Sequence, residues 1–574
     1  MKRIMVLMGL LLLTLSKGTN AQSSCADIQR FGIDRQMNAR AHLILQACGL
    51  AQPPIILQSG SSVSSPASFG GTDQDIVLGG EGNYPHVTQS ETQAWAHGNT
   101  VVVAYNDSRT AGSCYSGGSY STDGGNTWTD LNSRPFCSGH GTGFGDPVLV
   151  FDKKHSTWLA VFLASGCGGQ GMGVWTSTNG KDWLTGVCAH NGTSDDRESG
   201  WVDNNPMSPF YGRFYLTWND FAAGQNIYSI YSDDGGSTWS SPVQVQSGGF
   251  IRNVQVTTGP SGVVFIAAMN EGGGGLTGPR TNVVYRSTDG GASYTAITLG
   301  ASFPGPGIST CGYFAAMFPS YWRHMGWGDI GVTADGSVHY AFAQHGAGAD
   351  PGDIYYTRST NNGSSWSAAV KLNTDGTTRA QWQPSLAVTG SQVFVSWYDA
   401  RNTTGNDYER FGILSTNSGV SFGTDGAVSD ASSPLPLQPD PNVQPCYVGD
   451  YDRSFGDSAS FYIPWVDGRT LVSGSPQQDV WFDRVDTIPP TITLTGVGSK
   501  IKGFETVNLS WSPTIPGDNI QVIRDGIVVA TTADSGAYTD NTGNKGNNDT
   551  YVYKVIRVET GDFSNLVTVK FGTK

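Results

Sequence analysis

Ser121-Thr122-Asp123-Gly124-Gly125-Asn126-Thr127-Trp128 reads as a hairpin turn, and the 574-residue chain repeats it. An oxygen at the Asp position accepts bonds from the turn's own N–H groups, and Gly supplies the left-handed φ that such turns need. The closing Trp folds back and locks the turn. Further copies begin at Ser177 (to Trp183, one residue short), Ser232 (to Trp239), Ser287 (to Tyr294), Ser359 (to Trp366) and Ser415 (to Phe422). The Ser-to-Ser steps are 56, 55, 55, 72 and 56 residues. One such match is cheap, whereas six in register are not. A fixed period of this length predicts repeated supersecondary units, each unable to bury its apolar face alone.

Strands precede the turns, as in Asn226-Ile227-Tyr228-Ser229-Ile230-Tyr231. A second pattern lies upstream of them, a strand that ends on an aromatic and an acidic turn: Val101 to Asp107, Phe214 to Asp220 and Val393 to Asp399. One more copy, Phe461 to Asp467, has no Ser-x-Asp turn after it, and Gln478 to Phe482 reads as its closing strand.

The six turns resemble the Asp boxes (BNR repeats) of the sialidase superfamily, over roughly residues 80–486. That resemblance implies a β-propeller, and the strand patterns count seven blades, six of them carrying boxes. Hydrolytic sialidases are similar to six-bladed propellers, so the seventh is a departure. The 72-residue step holds a Gly-, Pro- and aromatic-rich insertion near Ala301–Pro319, expected to decorate a binding face. The expected fold is therefore all-β: a seven-bladed propeller, a C-terminal β-sandwich and a short N-terminal helical segment.

The flanks are legible too. Lys2 and Arg3, the apolar run from Ile4 to Leu15 and Thr19-Asn20-Ala21 predict a secretory signal peptide over residues 1–21. Its core is too short to span a bilayer stably. The eight cysteines are even in number, and export makes disulfides plausible. Local spacing suggests Cys25–Cys48, Cys114–Cys137 and Cys167–Cys188, with Cys311–Cys446 as the remainder. Between Cys25 and Cys48 a rough helical stripe (Ile28, Phe31, Met37, Ala41, Ile44, Leu45) predicts a disulfide-closed helical segment over 22–50, although Gly32 interrupts it. Residues 51–79 read as a linker and 80–486 as the propeller. Beyond Ile488-Pro489-Pro490, residues 487–574 alternate as strands with an early Trp511, which resembles a fibronectin type III domain.

The net charge of −14 and the lack of a basic run argue against a nucleic-acid partner. A glycan or polysaccharide substrate, a monomeric state and an extracellular or periplasmic location are expected. No metal motif is present and no cofactor is expected, with a structural calcium ion at an acidic turn left open.

In a propeller the loops leading into the innermost strands converge on the central channel. Here they offer Arg197 and Glu198, Arg252, Arg323 and His324, Arg379, His140, and Tyr447 and Tyr451. Guanidinium forks hold carboxylates bidentately, so Arg197, Arg252, Arg323 and Arg379 are candidates to bind an acidic sugar. His324, His140, Tyr447, Tyr451 and Glu198 are candidate catalytic groups. The family's hydrolases use three Arg, a Tyr–Glu pair and an Asp, with the first Arg in an Arg-Ile-Pro segment. This chain has Asn83-Tyr84-Pro85-His86 there, so the Arg set above rests on loop position. Three functions compete: a sialidase-like glycoside hydrolase, a lyase that cleaves uronic-acid glycans by Arg-assisted β-elimination, and a non-catalytic carbohydrate-binding or adhesion propeller.

Overall fold

The computed structural model describes residues 25–571 apart from 37, 52–66, 78–82, 132–133, 250, 473, 489–490, 526, 547–548, 559 and 561. The signal-peptide segment lies outside the described residues, as does Met37 of the helical stripe.

Antiparallel four-strand units follow one another at residues 89–130, 143–190, 195–246, 251–304, 329–371 and 381–427. In each, the third strand ends on the Ser of the repeated turn: Ser121, Ser177, Ser232, Ser287, Ser359 and Ser415. The turn chemistry is as the residues dictate. Ser121 Oγ donates to Asp123 Oδ1 (2.7 Å) and accepts from Gly125 N–H (2.8 Å). Thr127 N–H donates to the same Asp123 oxygen (2.9 Å), and Trp128 Nε1 closes onto the Gly125 carbonyl (3.1 Å). Trp183, Trp239 and Trp366 close their turns on Gly180, Gly236 and Gly363 in the same way.

The last unit is assembled from both ends of the ring. Phe455–Gly456, Ser460–Asp467 and Asp479–Asp486 are joined by Gln74–Asp75, with Gln74 opposite Phe482 and Asp75 opposite Trp481. Gln74–Asp75 falls within the stretch expected to be a linker. Asp452–Arg453 pairs in parallel with Thr92 and Gln93 of the first unit, so the innermost strands close into a ring. The core lies between neighbouring units, where Trp158, Trp175, Trp218, Trp397 and Trp465 are fully buried. Truncating any of them would cost about 3–5 kcal/mol.

The insertion folds as a small sheet, Ser309–Cys311, Phe314–Phe318 and Tyr321–Arg323. Cys311–Cys446 ties it to the segment before Tyr447, and Cys25–Cys48, Cys114–Cys137 and Cys167–Cys188 form as well. Four disulfides are the chemistry of an oxidising compartment. Among the described residues no helix is long and apolar enough to cross a membrane.

The N-terminal segment holds helices Ile28–Phe31 and Ala39–Ala47, separated at Gly32, whose φ of 60° ends the first. Asn38 caps the second, its side chain accepting from Ala41 N–H (3.0 Å). The C-terminal region is a sandwich of a three-strand and a four-strand sheet around Trp511, Val522 and Tyr553. Lys554 Nζ joins it to the ring by donating to Ser391 Oγ (2.6 Å).

Candidate functional site

The innermost strands carry a repeated irregularity. Pairing slips between Ser90 and Gln93, Gly145 and Val148, Asp196 and Ser199, Arg252 and Gln255, and Trp382 and Ser385. Within each slip one non-glycine residue adopts a left-handed backbone: Glu91 (φ 52°), Asp146 (58°), Arg197 (56°), Asn253 (57°) and Gln383 (51°). Bulges of this kind re-aim side chains, and such strain gathers at functional sites. Here they build one buried polar cluster across units.

The cluster is a relay of bonds from unit to unit. Asn106 Nδ2 donates both to Glu91 Oε2 (2.7 Å) and to the Tyr447 hydroxyl (2.9 Å), while its Oδ1 accepts from Asp146 N–H (2.7 Å). Asp146 Oδ2 accepts from Arg197 N–H (3.1 Å), and the Arg197 guanidinium donates to Asn253 Oδ1 and lies 3.7 Å over the Tyr451 ring. Asp450 N–H closes the relay on Glu91 Oε1 (3.1 Å).

Around it the remaining arginines are paired. Arg323 forks onto Asp450 (2.8 and 2.6 Å) and lies 4.8 Å over the Tyr447 ring. Arg252 holds Glu271 Oε2 (3.1 and 2.6 Å), whose other oxygen takes Trp327 Nε1 (2.7 Å). His324 Nε2 accepts from Gln383 N–H (3.3 Å), and its Nδ1 has no partner.

Glu198 stands apart: it is 1 % exposed and neither carboxylate oxygen is bonded by another residue. Burial pushes it well above the usual carboxylate range, opposed by its own backbone N–H and by Arg197 and helped by the charges of Asp196 and Asp195. Burial also raises Glu91, with Asp146 and Asp450 adding to it, and Asp146, with Glu198 and Asp196 adding. Tyr447 and Tyr451 are driven well above their ordinary value by burial and then by Glu91. Burial brings His324 down to about 3, so its imidazole is neutral.

The structure thus gathers Arg197, Glu198, Arg252, Arg323, His324, Tyr447 and Tyr451. It places two expected residues elsewhere. His140 Nε2 donates to the Val174 carbonyl (3.2 Å), and the ring packs beside the Cys167–Cys188 disulfide and Trp175, a structural setting within the second unit. With both sulfurs bonded to each other, this His–Cys–Cys group is no metal site. Arg379 is spent on the Ala400 and Gly405 carbonyls of its own unit (3.1 and 2.9 Å). Glu91, Asn106, Asp146 and Asn253 complete the cluster. Their signal was available in part, since Gln89-Ser90-Glu91-Thr92-Gln93 and Asp195-Asp196-Arg197-Glu198-Ser199 are polar runs where buried strands should be apolar.

A small cavity lies beside this cluster, with Asn106, Arg323, Gln444 and Tyr447 on the ring side and Gln36, Asn38, His42 and Leu45 of the N-terminal segment opposite.

No protein-family model matches the chain, and no curated protein sequence matches it. Among solved structures it is similar to a PL25 ulvan lyase at 12 % identity, with 75 % of this chain and 96 % of that one covered and a TM-score of 0.41. It is also similar to an endo-arabinase from Bacteroides thetaiotaomicron at 13 % identity, covering 51 % and 94 %, with a TM-score of 0.28. Likenesses this distant carry no argument about family or activity.

Proposed function

We propose that the chain is a secreted glycan-active enzyme, a glycoside hydrolase acting on acidic, carboxylate-bearing sugars. The observation that carries this reading is Glu198, a buried carboxyl in the channel cluster with neither oxygen bonded by another residue. Glycoside hydrolysis needs one carboxyl that still holds its proton at working pH and a second group that meets the developing oxocarbenium ion. Burial keeps Glu198 protonated, which suits it to give its proton to the leaving glycosidic oxygen. Asp146 raises Glu91, while the hydrogen bond from Glu91 lowers Asp146, so Asp146 is the better of the pair to meet that ion, and Asn106 bridges Glu91 and the Tyr447 hydroxyl. Arg197 has an unpartnered Nε to offer a substrate carboxylate.

The elimination reading draws support from Tyr447 and Arg323, which share the cavity wall. It needs a base for the C5 proton, and Tyr447 and Tyr451 hold their own protons tightly while His324, neutral with a free Nδ1, is a weak acceptor. A purely binding ring would account for the paired Arg252 and Arg323, but it gives Glu198 nothing to do.

The test is product analysis after incubation with sialylated and uronic-acid-rich glycan pools. New reducing ends or free sialic acid, without 4,5-unsaturated ends, are the expected products. Unsaturated ends would replace hydrolysis by elimination, and no product from either pool would remove the acidic-sugar reading.

A further inference from the structure

The N-terminal disulfide-closed segment sits on the mouth of the candidate site, and its contacts there are polar. Asn38 Nδ2 donates to Asp196 Oδ1 (2.6 Å), two residues from Glu198. Gln36 Nε2 donates to Ser194 Oγ (2.9 Å), and Arg40 Nη1 to the Thr193 carbonyl (2.7 Å) and Gln170 Oε1 (3.1 Å). The Arg35 carbonyl accepts from Arg252 Nη1. On the far side of the mouth His42 Nε2 and Gln46 Nε2 both meet the Pro441 carbonyl (3.3 Å each). Amides and a carbonyl placed against carboxylate, hydroxyl and guanidinium groups are the complement that a sugar's hydroxyls and carboxylate would offer.

Its apolar side chains serve another purpose. Ile28, Ile33 and Ala41 pack with Phe31, Ile44, Leu45 and Cys48 into a cluster of their own, closed by Cys25–Cys48 and separate from the clusters of the ring. A body with its own small core, docked by hydrogen bonds, makes the polar kind of interface that separates readily. The groups beneath are sealed: Glu91, Asp146 and Glu198 are 0, 0 and 1 % exposed.

We infer that residues 25–50 are an autoinhibitory plug: docked, they occupy the glycan's place at the channel mouth, and the site works only when they lift. This rests on the reading of the channel as glycan-active, so the test separates the two. Asn38→Asp in the full-length protein keeps the helix cap but sets a carboxylate against Asp196. Gln36→Ala with Arg40→Ala weakens docking without adding charge and leaves the plug's core alone. Hydroxyl-radical footprinting would follow Tyr447 and Tyr115, which line the cavity under the plug, beside glycan hydrolysis by the same samples.

The expected result is oxidation of both tyrosines raised on the order of tenfold in Asn38→Asp, less in the double variant, with hydrolysis rising in step. Unchanged footprints in both variants, or raised footprints with hydrolysis constant or falling, would overturn the plug. Raised footprints with no hydrolysis by any sample, wild type included, would uphold the occlusion and remove the hydrolase reading instead.

Discussion

Asp123 and Glu198 are both carboxylates of the same ring, and their surroundings are opposite. In the rim turn Asp123 takes bonds from Ser121, Asn126 and Thr127, which bring it down to about 2. In the channel Glu198 takes none from any other residue, and burial drives it up. The first carboxylate is fully used in holding a turn, and the second is kept at a cost and left without a structural task. Buried polar groups are nearly always satisfied, so an unsatisfied one on a strained, bulged strand marks function more reliably than residue type does.

That contrast can be broken most sharply at the channel. Glu198→Gln keeps shape and removes the proton donor, so hydrolysis should fall by about 10²–10⁴-fold. Thermal unfolding should stay level or improve, since no bond is lost. A large fall in melting temperature with activity retained would make Glu198 structural and erase the distinction.

Asp483 lies between these two extremes. It accepts from Gly71 N–H (3.0 Å) and Arg484 N–H (2.6 Å), yet burial and the nearby Asp73 and Asp430 charges raise it to about 7. The folded state therefore binds a proton that the unfolded chain, with Asp near 4, has lost. Its contribution is fully present below about pH 4 and declines as pH rises to about 7. Asp483→Asn should flatten that decline and raise the urea midpoint at pH 8. An unaltered pH profile would show that its two N–H donors suffice.

The smallest effect belongs to the rim. Asp123→Ala should lower stability by about 1 kcal/mol and leave hydrolysis untouched, read by urea titration and rate together. Loss of activity there would mean that the rim turns reach the chemistry.

Legibility in the sequence divides along the same line. The rim turns are local: Ser, Asp or Asn, Gly and an aromatic satisfy one another within eight residues, so their spacing announces the ring. Three of the disulfides followed from spacing for the same reason, and Cys311–Cys446, 135 residues apart, only as the remainder. The channel is made by residues distant in sequence whose common feature is a backbone slip, and no single segment announces that Glu91, Asp146 and Arg197 occupy equivalent bulges. His140 and Arg379 misled because loop position says which face a residue is on but not whether a disulfide or a carbonyl has already claimed it. Arg252 and Arg323 were legible as loop residues, but their pairing with Glu271 and Asp450 depends on neighbours that spacing does not reveal.

The ring's final sheet borrows Gln74–Asp75, so a strand made early must wait for Asp479–Asp486, made hundreds of residues later. Until the two meet, the emerging protein carries open sheet edges at both ends of an unfinished circle, the surfaces on which chains pair wrongly. Production of this protein should therefore be most fragile to truncations just short of residue 486, which spare every repeated turn and leave the circle unfastened.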